Sequence, residues 1–253
     1  MKVLVTGANG FVGTALQGRL RHEEYDVRAI TRNEVGNIDS ETEWAPHLEN
    51  IETIVHLAGR AHVMRETAKD PFAEFRKTNR DGTAYLAQCA IASGVRRLIF
   101  ISSVKVNGEA SDNPFNSSSP AMPQDPYAIS KFEAEQALET LRSELEIVIF
   151  RPPLVYGPNV RGNFIRLIKL VDRGLPLPLA SVENLRSLVG LTNLTDAICW
   201  GIRAQPGLYF PSDRQDQSTA DLIRRIAKAL NRPARLFPIH PRLLKVAGNL
   251  AGK

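Results

Sequence analysis

Val3-Leu4-Val5-Thr6 runs straight into Gly7-Ala8-Asn9-Gly10-Phe11-Val12-Gly13: a short apolar strand, a turn punctuated by glycines, and the start of a helix. Each glycine has a separate use. Gly7 permits the tight turn, Gly10 lets backbone approach a pyrophosphate, and Gly13 allows the helix to pack close on the strand. Phosphates held by such a turn sit at the helix N-terminus, where unpaired N–H groups and the helix dipole favour an anion. Three glycines in a turn arise often for structural reasons alone. Their position after the first strand of a βαβ unit is what points to a dinucleotide.

The next 140 residues repeat that alternation. Lys2–Thr6, Asp26–Thr31, Thr53–Leu57, Arg97–Ser102 and Ile147–Phe150 read as strands; Phe11–His22, an amphipathic stretch from Pro71 to Ser93, and Tyr127 to about Leu145 read as helices. Strands separated by helices imply right-handed crossovers and a parallel sheet covered on both faces, so the expected fold is a doubly wound α/β (Rossmann) domain over residues 1–150. From Arg151 the pattern loosens into proline-rich turns between helices near Phe164–Arg173, Leu194–Arg203 and Thr219–Leu230. Residues 151–253 are expected to form a smaller part, mainly substrate-binding and interleaved with the first, and too irregular to continue the sheet simply.

Charge divides the same way. Residues 1–146 carry a net −5 and residues 147–253 a net +10, giving +5 in total. A basic C-terminal part facing something anionic fits that asymmetry. No lysine- or arginine-rich run with interleaved aromatics exists, which argues against nucleic acid. The N-terminal apolar run breaks at Gly7, short of the roughly 7–15 apolar residues of a secretory signal, and no segment approaches the roughly 18 of a membrane span. The expected location is therefore the cytoplasm. Cys89 and Cys199 are far apart and show no metal-ligand spacing; no metal site is expected.

A dinucleotide fold usually carries an acidic residue at the end of the second strand for the adenosine ribose. Here the strand ends Ala29-Ile30-Thr31-Arg32, with no carboxylate at its tip, and a hydroxyl and an arginine suit a 2′-phosphate. NADP(H) is the expected coenzyme, with NAD(H) left open.

Tyr127 and Lys131 stand at i and i+4 on one helix face. A phenol of pKa near 10 is a poor acid–base group at neutral pH; lowering it by roughly three units takes about 4 kcal/mol, which a close ammonium and a cationic nicotinamide could supply. Some 25 residues earlier a strand ends in Ser102-Ser103, and strand carboxyl ends are where open α/β sheets bind ligands. Ser103 can hydrogen-bond a reacting oxygen while Tyr127 gives or takes its proton.

The motifs Thr6-Gly7-x-x-Gly10-x-x-Gly13, His56-Leu57-Ala58-Gly59, Asn79-x-x-Gly82-Thr83, Ser102-Ser103, Tyr127-x-x-x-Lys131 and Arg151-Pro152-Pro153-Leu154-Val155-Tyr156-Gly157-Pro158 occur in that order. As a set they resemble the extended short-chain dehydrogenase/reductases, the nucleotide-sugar epimerases, dehydratases and reductases. The resemblance implies that Tyr127 is the acid/base, that Lys131 also holds the nicotinamide ribose, and that Ser103 contacts the substrate oxygen. It implies coenzyme contacts at Gly7, Asn9, Gly10, Phe11, Val12 and Gly13, at Thr31 and Arg32, and at Asn37 and Ile38 beside adenine. Further contacts are implied at Leu57, Ala58, Gly59, Ser102 and Pro153, with Asn79 supporting the sheet beside them. For the substrate it implies Asn163 and Arg186 at the sugar-nucleotide phosphates, whereas Leu154 stands where many relatives have asparagine.

The resemblance also narrows the reaction. Family dehydratases follow the catalytic hydroxyl with Asp-Glu; here Val104-Lys105 stands there, so dehydration lacks its acid and base. Ser102 to Glu109 together with Arg173 to Leu179 resemble the subgroup that reduces a UDP-4-keto-6-deoxy-N-acetylhexosamine for surface polysaccharide. A reductase is thus the first expectation and a UDP-sugar 4-epimerase the second. A non-catalytic coenzyme sensor is third, since such relatives lose the tyrosine or the lysine. A homodimer is left open. Beside the family the chain looks short, stopping at Gly248–Lys253 in what reads as mid-helix, as a truncated form would.

Overall fold

A computed structural model describes residues 1–61, 68–160 and 162–239. The segment behind the truncation expectation, Gly248–Lys253, lies outside the described residues. The chain divides into two compact units: Met1–Gly157 with Val189–Ser212, and Pro158–Leu188 with the residues from Asp213 on.

In the first unit the elements run β1 (Lys2–Thr6), α1 (Phe11–His22), β2 (Asp26–Ile30), α2 (Arg32–Val35), α3 (Ala45–Leu48), β3 (Thr53–His56) and α4 (Pro71–Phe75). A π-helical segment (Arg76–Asp81), α5 (Gly82–Ala92), β4 (Arg97–Ile101), a 3-10 turn (Val104–Val106), α6 (Pro126–Glu139), β5 (Glu146–Phe150) and β6 (Leu154–Tyr156) follow. The second unit holds α7 (Asn163–Asp172); β7 (Leu188–Gly190) then leads into α8 (Leu191–Gly201) and β8 (Gly207–Tyr209) of the first unit, and α9 (Thr219–Ala229) belongs to the second.

Six strands form one parallel sheet in the order β2-β1-β3-β4-β5-β8. Both faces are apolar, as a sheet buried on two sides requires. Val3, Val5, Val55, Ile99 and Val148 pack with Leu16 and Leu20 of α1 and Leu194 and Ile198 of α8. Leu4, Ile54, Leu98, Phe100, Ile147 and Ile149 point the other way, onto Leu86, Ala87 and Ala90 of α5 and Ala134 and Leu138 of α6. The expected doubly wound sheet is present. Strand order reverses between β1 and β3, and the crevice beyond their carboxyl ends is where such a sheet holds a ligand.

Three local expectations change. β8, from beyond Phe150, does extend the sheet, pairing Val148 with Gly207 and Phe150 with Tyr209; a strand of three residues is too short to show a period. The stretch from Pro71 to Ser93 is not one regular helix, because the π-helical segment widens it and turns Asn79 inward to 1% exposure. The helix at Tyr127 stops at Glu139, where the Thr140 hydroxyl donates back to the Ala137 carbonyl (2.8 Å).

The second unit has its own small core, Val171 of α7 against Ile223 and Ala227 of α9, with Leu167, Leu177, Leu179 and Leu236 around it.

Candidate active site

The glycine turn forms as its residues dictate. Gly7 has φ +65° and its carbonyl accepts from Gly10 N–H at 2.9 Å. A Cβ on Gly13 would stand 2.3 Å from the Gly7 carbonyl oxygen and 2.8 Å from Ala8 Cα, so α1 packs closer to the turn than any larger residue permits. Gly10 is the N-cap of α1 and brings no side-chain cap, leaving the amides of Phe11 and Val12 at a helix start built for an external anion.

Beside this turn, Thr6, His56, Ala58 and Thr83 lock the ends of β1 and β3 together. The Thr6 hydroxyl accepts from Ala58 N–H (3.1 Å) and bonds His56 Nδ1 (2.7 Å), while His56 Nε2 bonds the Thr83 hydroxyl (3.0 Å). Burial, with some help from Lys131, drives the His56 pKa down to about 3, so the imidazole is neutral and structural, in keeping with a packing role. Leu57 and Ala58 are half-buried and Gly59 exposed, forming the rim. A Cβ on Gly59 would meet Asn79 Oδ1 at 2.9 Å and Lys131 Nζ at 3.4 Å.

Asn79 does more than support the sheet. Its amide brackets the Arg60 backbone, accepting from Arg60 N–H (2.7 Å) and donating to Arg60 O (3.0 Å), and it also donates to Ser130 Oγ (2.9 Å). Ser130 in turn donates to the Tyr127 carbonyl (2.8 Å). The π-helical segment thereby fixes the loop after β3 to the first turn of α6.

That turn carries Tyr127, the residue expected to be the acid/base. Asp125 caps α6, its Oδ1 accepting from Ala128 N–H at 2.7 Å, and Pro126 is the first helical residue, a start signal in the sequence. Tyr127 packs edge-on against Phe75, ring centroids 6.2 Å apart, and its phenol lies near enough to the Ser103 hydroxyl for that group to favour its ionised form. Ser103 and Tyr127 are therefore brought together as expected. The cation acting on the phenol is not the one that helical spacing suggests. Burial pushes the Tyr127 pKa up to about 12; the Ser103 hydroxyl and the Lys105 cation lower it, and the Asp125 anion raises it. Lys131 is instead engaged beneath, 4% exposed, donating to the Ile101 carbonyl (2.9 Å) and 4.4 Å from the Phe100 ring centre. Burial lowers its pKa to about 8, against the opposing charge of Glu135.

At the tip of β2 a carboxylate is present after all. Thr31 is the N-cap of α2, and Glu34 folds back on it, its Oε2 accepting from Thr31 N–H (2.7 Å) and from the Thr31 hydroxyl (2.6 Å). The Thr31 hydroxyl holds the Glu34 pKa below the ordinary carboxylate value. Thr31-x-x-Glu34 is a capping-box pattern and was readable in the sequence. Arg32 and Asn37 are exposed. Ile38, 8% exposed, packs in the core where a Cβ on Gly82 would touch it at 2.6 Å.

Pro153 is half-buried in the loop after β5. In the second unit Asn163 is the exposed first residue of α7, and Arg186, also exposed, lies in an antiparallel bridge with Gln217, N–H to O 3.0 Å in both directions. A cleft of about 440 Å³ in that unit is lined by residues including Asn184, Leu185, Ser218 and Arg224, none of them expected from the sequence. No cluster of three or more potential metal ligands and no helix long and apolar enough to cross a membrane occurs among the described residues.

The dinucleotide that this fold implies can be tested against the residues present. Ser102 Oγ is buried at the end of β4 with no hydrogen-bond partner among the described residues, α1 begins without a side-chain cap, and Gly7, Gly10 and Gly13 leave no side chain over the turn. These fit a bound dinucleotide.

Residues 3–207 match the model of the NAD dependent epimerase/dehydratase family. A UDP-glucose 4-epimerase of Vibrio cholerae is 42% identical, over 99% of this chain and 82% of that protein. The structure of MoeE5 in complex with UDP-glucose and NAD superposes with a TM-score of 0.81 at 26% identity, covering 94% of this chain and 85% of that one. The UDP-glucose 4-epimerase of Thermus thermophilus in complex with NAD, at a TM-score of 0.78, 23% identity and coverage of 94% and 86%, shares the fold.

Proposed function

The chain belongs to the NAD dependent epimerase/dehydratase family, and from that premise we propose that it is a UDP-hexose 4-epimerase working with NAD(H). The observation that carries this reading is the 42% identity, along nearly the whole chain, to the Vibrio cholerae UDP-glucose 4-epimerase. The site agrees with it: the Ser103 hydroxyl acts on the Tyr127 phenol, and Val104-Lys105 supplies no carboxylate for dehydration. The reductase expected first from the sequence rested on the resemblance of Ser102 to Glu109 with Arg173 to Leu179 and on a β2 tip without a carboxylate; Glu34 stands at that tip.

When bound, NAD supplies a reversible hydride acceptor for the sugar C4. Gly7 to Gly13, Ala58, Gly59, Ser102 and Lys131 would hold it, with Asn37, Ile38 and Pro153 at its two ends. Tyr127 takes the C4 hydroxyl proton during oxidation and returns a proton to the same oxygen after the ketone has presented its other face. Ser103 bonds that oxygen in both halves and fixes its distance from the phenol. Proton and electron pair both return to the sugar, so the site ends as it began.

NMR of UDP-glucose incubated with the protein and a trace of NAD is expected to show equilibration with its C4 epimer and no net change in coenzyme. Failure to interconvert UDP-glucose or UDP-N-acetylglucosamine, with stoichiometric NADPH oxidation on a UDP-4-keto-6-deoxyhexosamine, would restore the reductase reading.

Coenzyme choice follows from the β2 tip. Glu34 can accept from a ribose hydroxyl and repels a 2′-phosphate, so NADH is expected to bind roughly tenfold or more tighter than NADPH at low salt, the gap shrinking as salt screens it. Glu34→Ala closes that gap, measured by nicotinamide fluorescence. Equal wild-type affinities would show that Glu34 sets no preference, and tighter NADPH binding would show that Arg32 prevails.

A further inference from the structure

We propose that Lys105 is a positioning residue for proton transfer, clamping the loop that bears Ser103 to the helix start that bears Tyr127 and placing a cation beside the phenol. The proposal rests on the reading of Ser103 and Tyr127 as the proton-transfer pair.

Lys105 holds the Ser103 hydroxyl directly and the helix start of Tyr127 through Asp125, using different atoms. Its backbone N–H donates to Ser103 Oγ at 3.2 Å, which makes Ser103 the cap of the 3-10 turn. Its ammonium donates to Asp125 Oδ2 at 2.6 Å and to Glu109 Oε1 at 2.8 Å. Asp125 uses its other oxygen to cap α6 at Ala128, one residue past Tyr127. One residue thus joins two segments some 20 positions apart at the point where the two catalytic hydroxyls meet.

Folding alone does not account for this arrangement. The Lys105 and Asp125 side chains are 42% and 35% exposed, and pairs so open to solvent contribute little to stability. The charges nevertheless act on the phenol: Lys105 favours its ionised form and Asp125 opposes it. The other charged groups around Tyr127 are engaged elsewhere. Lys131 is held by Ile101 O, Arg76 is paired with Glu133, and Arg60 lies over the far partner, Phe75, 5.4 Å from its ring centre. Burial works against the Lys105 charge, but the bonds to Asp125 and Glu109 outweigh it and raise the pKa, so the ammonium persists through the neutral range. Without it, the Asp125 carboxylate would act on the phenol uncompensated.

The test compares Lys105→Met and Lys105→Arg with wild type in the NAD-loaded protein. The expected results for Lys105→Met are a kcat at neutral pH lower by about tenfold, a KM for UDP-glucose within about twofold, and a rise of roughly one pH unit in the pKa that governs kcat. Lys105→Arg restores both. A second readout needs no turnover: in protein labelled with 13Cζ-tyrosine, with the Tyr127 signal assigned from Tyr127→Phe, Lys105→Met should move the Tyr127 titration upward by roughly one pH unit. An unchanged Tyr127 titration in a folded Lys105→Met protein overturns the clamp, whether or not the protein is an epimerase. Absence of epimerase activity in wild type with the titration shift present overturns the functional reading and leaves the clamp standing.

Discussion

Tyr127→Phe is expected to lower kcat about a thousandfold while NAD binding stays within about twofold. Phenylalanine keeps the ring that packs edge-on against Phe75, so the first turn of α6, its Asp125 cap and the Ser130–Asn79 link all persist. Only the phenol oxygen is lost, the group on which Ser103 acts. Ser103 cannot replace it, because a hydroxyl without a neighbouring base is far too weak an acid to cycle a proton near neutrality. Single-turnover kinetics separate the two effects: binding of UDP-glucose and NAD proceeds, and oxidation of the sugar stalls. Turnover within tenfold of wild type would remove Tyr127 from proton transfer.

The largest stability effect is expected behind the site. Arg151, 5% exposed, is paired with Glu135, 6% exposed, through Nε to Oε1 at 3.0 Å and a second bond from Nη2 to Oε2. Its Nη1 donates to Asn107 Oδ1 at 2.9 Å, and Asn107 in turn donates to the carbonyls of Ser119 and Pro120 at 3.1 and 3.2 Å. The pair therefore joins the loop after β5 to α6 and to the segment following Ser103. Arg151→Met strands a carboxylate in the interior, which costs about 3–5 kcal/mol. Chemical denaturation should show this as a lower midpoint with an unchanged slope. Adding Glu135→Gln removes the stranded charge and should recover a substantial part of the loss, since replacing both members of a buried pair is far milder than removing one. A single variant within about 1 kcal/mol of wild type would mean that water reaches Glu135.

What could be read from the sequence was local. β1 and α1 have the expected bounds, because the apolar run, the glycines and the basic last turn of the helix act within a dozen residues. Ser103 and Tyr127 were found as types at the ends of a strand and a helix, and the parallel sheet brings them together. The electrostatics could not be read that way. Helical spacing puts Lys131 on the face of Tyr127, yet Lys131 bonds Ile101 O, and the cation that lowers the phenol comes from Lys105, on a turn 22 positions upstream. Glu34 was missed for a simpler reason: the acid was sought on the strand end itself, and the capping box delivers it from three residues further on. The return of Val189–Ser212 to the first unit, with β8 at the sheet edge, is a matter of long-range packing that a three-residue strand does not announce.

The central claim is that C4 is oxidised and reduced again within one site. UDP-[4-2H]glucose incubated with NAD-loaded protein in the presence of excess unlabelled NADH tests it directly. The account predicts that the C4 epimer forms with deuterium still at C4. Loss of the label to the NADH pool, or consumption of NADH in step with product, would contradict it.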